Sequence, residues 1–156
     1  MVNQPLTING ITIKAGTRLS IDLPTGRLYT HTPMTVPVHV VSGKKAGPCL
    51  FISAAIHGDE INGVEIIRRL LKLPALKRVH GTIIAIPIVN VHGLINHSRY
   101  LPDRRDLNRS FPGSEKGSLA ARLANTFMKE IVEKSTHGID IHTGDLHRDN
   151  LPQLRA

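Results

Sequence analysis

The first forty residues alternate between apolar and polar positions. In "TINGITI" (7–13) isoleucines flank Asn9-Gly10, and that dipeptide between alternating residues predicts a type I′ hairpin. "RLSIDL" (18–23) and "TVPVHVV" (35–41) alternate in the same way and predict further strands. Turn residues in "SGKKAGP" (42–48) lead to "CLFISAA" (49–55), a nearly continuous apolar run of the kind covered on both faces. At Glu60 the period changes. Ile61, Val64, Ile67, Leu70 and Leu71 recur at three and four, predicting a helix from Glu60 to about Leu73, ended by Pro74. "GTIIAIPIV" (81–89) reads as a second buried strand. Residues 90–117 are polar and rich in turn formers, and so long a loop is usually functional or disordered. "SLAARLANTFMKEIVEK" (118–134) predicts a second helix, with Leu119, Leu123, Phe127 and Ile131 four apart and Ser118 at the N-cap. "GIDIHT" (138–143) reads as a third short strand.

The order after residue 48 is therefore β-α-β-loop-α-β, which right-handed crossovers place in one parallel sheet flanked by helices. Residues 1–43 form a β-rich N-terminal segment, and residues 44–156 carry the α/β pattern. The first segment is either a small subdomain of its own or a set of hairpins fused to the sheet edge.

Composition narrows the class. A chain of 156 residues suits one domain with a real core, and with 3% aromatics and no Trp that core must be aliphatic. The single cysteine, Cys49, excludes an internal disulfide and a Cys-based zinc site, and its apolar neighbours predict a buried thiol. No stretch approaches the roughly 18 to 20 apolar residues a membrane helix needs. "MVNQPLTING" lacks the charged and apolar regions of a secretory signal, so the expected location is cytoplasmic. The net charge of +8 raises nucleic acid as a partner, but the basic residues are dispersed and stacking aromatics are scarce. The densest cluster, "SRYLPDRRDLNRSFPG" (98–113), mixes Arg with Asp, Asn, Pro and Gly and suits a loop that grips a small anion. The expected partner is a small molecule, with neither nucleic acid nor membrane involved.

Two groups of residues carry candidate chemistry. His57 and Glu60 stand three apart at a strand-to-helix junction, where positions i and i+3 of a first helical turn share a face. Imidazole and carboxylate are suitable zinc ligands, and His142, at the end of another parallel strand, is well placed as a third. Taken singly, such histidines are more often hydrogen-bonded structural residues, Glu60 a carboxylate favoured by the helix dipole, and Asp59 a cap. Asp140 shares a strand face with His142 and is placed to orient it. In the loop, Arg105, Asn108 and Arg109 suit bidentate carboxylate binding; alternatively Arg104 and Arg105 pair with Asp103 and Asp106 to fold the loop.

Together, "HGDE" (57–60), "RDLNRSFPG" (105–113) and "DIHTG" (140–144) resemble the succinylglutamate desuccinylase/aspartoacylase family of the zinc carboxypeptidase-like clan, over about Val40 to His142. The resemblance implies a mixed, largely parallel central sheet with flanking helices and one catalytic zinc ion (Zn2+). His57, Glu60 and His142 match its ligands, and Asn108 and Arg109 match the pair that holds the substrate carboxylate. For the arginine that polarises the scissile carbonyl, Arg99 and Arg105 compete. The implied reaction is hydrolysis of an N-acyl amino acid, with carboxypeptidase-type peptide hydrolysis or a non-catalytic carboxylate- or metal-binding module as alternatives.

The family's general base is a glutamate on a later strand. Glu65, Glu115, Glu130 and Glu133 all stand in other contexts, so no catalytic base is assigned within residues 1–156. The chain is therefore expected to be the N-terminal part of such an enzyme, to hold zinc, to hydrolyse poorly and to self-associate through an exposed sheet edge.

Overall fold

The Asn9-Gly10 turn forms as its sequence requires. Both residues have positive φ (48° and 73°), and they join β1 (Leu6–Ile8) to β2 (Ile11–Ile13) with Ile8 opposite Ile11. The computed structural model describes residues 1–144, 148 and 150–155. The other strands build one five-stranded sheet in the order β3-β4-β6-β5-β7. β3 (Arg18–Arg27) and β4 (Pro33–Ser42) are antiparallel, and β4 runs antiparallel to β6 (His80–Ile86). β6 and β7 (His137–Ile141) lie on either side of β5 (Lys45–Ala54) and parallel to it. The sheet is thus mixed, and β3 and β4 extend it instead of standing apart.

The alternation in β4 sends Val36, Val38 and Val40 into the main core, where Ile84 and Ile86 of β6 and Ile8 of the small hairpin join them. Each such side chain, fully buried, is worth about 1.5–3 kcal/mol. The helix α3 (Leu119–Phe127) closes this face with Leu123 and Phe127, and Phe127 meets Phe51 edge to face at 5.8 Å. The helix α1 (Asn62–Leu70) covers the other face, placing Ile67 against Ala54 and Ala85. Cys49 is only partly buried, not fully as its neighbours suggested, because it packs at the margin of the main core. Among the described residues no helix is long and apolar enough to cross a membrane.

Three elements differ from the sequence expectation. The helix predicted from Glu60 starts at Asn62 and ends at Leu70, with Ile61, not Asp59, at the N-cap position and no side-chain cap bond from it. Residues 57–60 form a turn instead, closed by the Glu60 N–H donating to the His57 carbonyl at 3.2 Å. His57 and Glu60 therefore meet across a reverse turn, not on a helical face. The 90–117 segment holds a short helix, α2 (Val91–Ile95), capped by the Asn90 side chain accepting from the Gly93 N–H at 2.7 Å, and a 3-10 turn (Leu107–Arg109). The helix α3, capped by Ser118 as expected, passes into a π-helical turn (Met128–Val132).

Gly58 brings the first of these loops onto the second. Its N–H donates to the Ser98 carbonyl at 3.0 Å, and a β-carbon there would lie 2.0 Å from the Gly93 carbonyl carbon. Because the obstacle is backbone, Gly58→Ala should destabilise the chain by roughly 2 kcal/mol or more. Urea unfolding would show this as a lowered midpoint; an unchanged midpoint would mean the two loops separate freely.

Candidate functional site

Three strands deliver the site from one edge of the sheet. The segment after β6 is tied to the end of β5 by Val89 N–H donating to the Ala54 carbonyl (3.0 Å) and Asn90 N–H to the Ala55 carbonyl (2.9 Å). Ala55 sits at φ 52°, a left-handed conformation that costs a residue with a β-carbon on the order of 1 kcal/mol. Two residues later comes His57, fully buried beside the equally buried Glu60.

The Glu60 carboxylate is the meeting point. His57 Nδ1 lies 2.7 Å from Oε1, while His142 Nδ1 and the Thr143 N–H lie 2.8 and 3.1 Å from Oε2. Arg99 Nη1 approaches Oε1 to 3.6 Å. One ligand atom each from His57, Glu60 and His142 fall within 4.8 Å of one another, and His142 is open to solvent on one side.

The far nitrogen of each imidazole meets another carboxylate. His57 Nε2 is 3.1 Å from Asp106 Oδ1, and His142 Nε2 is 2.6 Å from Asp140 Oδ2. Asp106 is itself gripped at Oδ2 by Arg99 Nε and Nη2 (3.1 and 2.9 Å), and Asp140 Oδ1 accepts from the Ser53 hydroxyl at 2.7 Å. Metal-binding histidines characteristically offer one nitrogen to the ion and the other to a carboxylate. Two imidazoles and a carboxylate are a donor set zinc accepts. With neutral imidazoles, Glu60, Asp106 and Asp140 oppose the single guanidinium of Arg99, a local balance of three negative against one positive that a divalent cation would neutralise. The residues present fit the ion.

Electrostatics bind the cluster together. Burial pushes the Glu60 carboxyl up, but hydrogen bonds from His142 and His57, the charge of His57 and the Thr143 N–H outweigh burial and hold its pKa down at about 2. Asp140 and then Glu60 raise His142 to about 10 against the opposing effect of burial. Asp106 likewise resists its burial and stays below the usual carboxylate range through His57 and Arg99.

The structure thus brings together His57, Glu60 and His142, with Asp140 behind His142. Of the two competing arginines it brings Arg99 to the cluster. Arg105 is exposed, and its backbone N–H bonds to Asp103. Asn108 and Arg109 are exposed on the 3-10 turn, whose Asn108 N–H donates to Asp106 Oδ1 at 2.9 Å. Asp106 was assigned by the sequence only to loop-folding pairs with Arg104 and Arg105. Its position two residues before Asn108 is an Asx-turn signal, but nothing local shows that the same carboxylate reaches His57. Ser53 and the Thr143 N–H carried no sequence signal.

The model of the succinylglutamate desuccinylase/aspartoacylase catalytic domain matches residues 46–156. The chain belongs to this family. An N-alpha-acetyl-L-2,4-diaminobutyric acid deacetylase from Halomonas elongata is 32% identical over 118 residues, 75% of this chain and 34% of that protein. Among solved structures, the product-bound ectoine utilization protein EutE (DoeB) from Ruegeria pomeroyi is 27% identical with a TM-score of 0.76, over 90% of this chain and 44% of that one. The succinylglutamate desuccinylase/aspartoacylase from Rhodobacter sphaeroides is 27% identical with a TM-score of 0.72, over 81% and 40%. The chain spans less than half the length of these relatives.

The metal-free chain should be most stable between about pH 4.5 and 6.5. Glu60 binds its proton more weakly when folded, so its contribution is present above its ordinary 4.5 and is lost as pH falls through about 2. His142 binds its proton more tightly when folded, so its contribution is complete below its ordinary 6.5 and is lost as pH rises through about 10. Urea titrations in chelator across this range should trace a plateau with losses on both sides. A flat profile from pH 6.5 to 10 would show that His142 is not held by Asp140 and Glu60 in solution.

Proposed function

We propose that this chain carries the metal-binding and substrate-carboxylate elements of a zinc-dependent amidohydrolase that removes the acyl group from an N-acyl amino acid. The supporting observation is the Glu60 carboxylate held between Nδ1 of His57 and Nδ1 of His142 at the mouth of the parallel strands. His57, Glu60 and His142 would hold the ion, which supplies Lewis acidity toward the scissile carbonyl and toward water.

The chain's own residues do the rest of the binding. Arg99, beside Glu60 and steadied by Asp106, is placed to stabilise negative charge developing on the carbonyl oxygen. The exposed side chains of Asn108 and Arg109, one hydrogen bond from the cluster through Asp106, would receive the substrate's carboxylate in a planar, bidentate fashion. Hydrolysis also needs a group that carries a proton from water to the leaving amine. The three carboxylates at the site are committed: Glu60 to two imidazoles, Asp106 to Arg99 and His57, and Asp140 to Ser53 and His142. Glu65, Glu115 and Glu130 pair with Arg68 and Arg69, Lys129 and Lys134 respectively. The Halomonas relative, by its name a deacetylase, makes N-acetyl amino acids the first substrates to test.

Elemental mass spectrometry of the purified chain should find about one zinc per chain, lost or much weakened in His142→Ala. No zinc after metal is added back, or full retention in His142→Ala, would overturn the assignment. Turnover of N-acetyl amino acids by the 156-residue chain should fall well below about 10 per second, a typical enzyme rate. Turnover at that rate would place the proton carrier within residues 1–156, and faster cleavage of peptides than of N-acetyl amino acids would favour a carboxypeptidase.

A further inference from the structure

His142 follows an edge strand. Among the described residues β7 pairs with β5 alone, so its backbone is less restrained than that of β5, which is paired on both sides. An imidazole at the end of such a strand needs another fixed point if it is to hold a ring orientation. Ser53 supplies one. It is fully buried on β5, directly opposite Asp140 in the ladder, and its hydroxyl donates to Asp140 Oδ1 at 2.7 Å. The other oxygen of the same carboxylate meets His142 Nε2 at 2.6 Å, and His142 Nδ1 meets Glu60.

We propose that Ser53 is a positioning residue for the metal site: it fixes the Asp140 carboxylate, and through it the ring of His142, to the sheet interior. This rests on the reading of His142 as a metal ligand, but its root is geometric. A buried hydroxyl must find an acceptor, and a strand serine can commonly satisfy that need on backbone carbonyls. Here the acceptor is a carboxylate whose second oxygen holds a histidine. With Oδ1 tied to the interior strand β5, the carboxylate is held where its Oδ2 meets His142 Nε2, and His142 turns Nδ1 toward Glu60. His57 has the matching arrangement, with Asp106 behind it and Arg99 as the anchor. Each imidazole is thereby fixed through a carboxylate to a different part of the fold.

The test uses Ser53→Ala, which removes one oxygen without adding bulk, and Asp140→Asn, a change at a partly exposed position that leaves one acceptor oxygen for two donors. Ring nitrogen signals of His142 are read by NMR in the metal-free chain, and the zinc dissociation constant by chelator competition. Both variants should shift the His142 ring signals while leaving those of His57 in place. Both should also weaken zinc binding about tenfold, the lower end of the effect of removing an outer partner of a ligand. Unchanged His142 signals in Ser53→Ala, or unchanged affinity in a chain that binds zinc, overturns the proposal. Absence of zinc binding in the unsubstituted chain defeats the metal reading by itself, and the ring signals still decide whether Ser53 anchors His142.

Discussion

A buried carboxylate organises this protein. Taking Glu60 out of water costs several kcal/mol unless its oxygens are fully used. Here they accept from the imidazoles of His57 and His142 and from the Thr143 N–H, with Arg99 alongside. Those partners come from the turn after β5, the end of β7 and the loop beyond α2, so the carboxylate is satisfied only when the parallel strands are in register and the connections after them have docked. The site and the sheet stabilise each other.

The division of the sheet follows from this. Its antiparallel half, β3 and β4, buries Val36, Val38 and Val40 and provides mass for the core. Its parallel half carries the His57-Glu60-His142 cluster, because parallel strands send all their C-terminal ends to one edge. The close contact of Gly58 with Gly93 joins the turn after β5 to the helix after β6, and Arg99 follows within a few residues. Family membership agrees with this placement. The matching catalytic-domain model begins at residue 46, at the start of β5, and takes in every residue of the cluster. The N-terminal strands lie outside that match, yet they pack into the same core.

The local pattern of the chain was enough for much of this. Period-two alternation and the Asn9-Gly10 dipeptide specified the strands and the first hairpin, since strand faces and positive-φ turns are properties of a few adjacent residues. The β-α-β order specified the parallel half of the sheet, and the strand-end positions of His57, Glu60 and His142 marked a shared edge. Reading residues 57–60 as the first helical turn failed because periodicity alone does not locate a helix start. The apolar spacing is compatible with Glu60, but the chain spends that residue on a turn and the cluster.

Tertiary structure decided the rest, because it concerned contacts between residues far apart in the chain. Arg99 and Arg105 are indistinguishable as residue types, and only the docking of the loop directs Arg99 inward and leaves Arg105 in solvent. Asp106 has arginines on either side in sequence but reaches back to His57, 49 residues away. Ser53 is one small polar residue in an apolar run, and its meaning depends on Asp140, 87 residues on, lying opposite it in the ladder. Sequence by itself determined which side chains could bind a metal and at which strand ends they stand. Which carboxylate supports which histidine was decided by strand register and loop docking, since a hydrogen bond depends on where two atoms meet and not on where their residues fall along the chain.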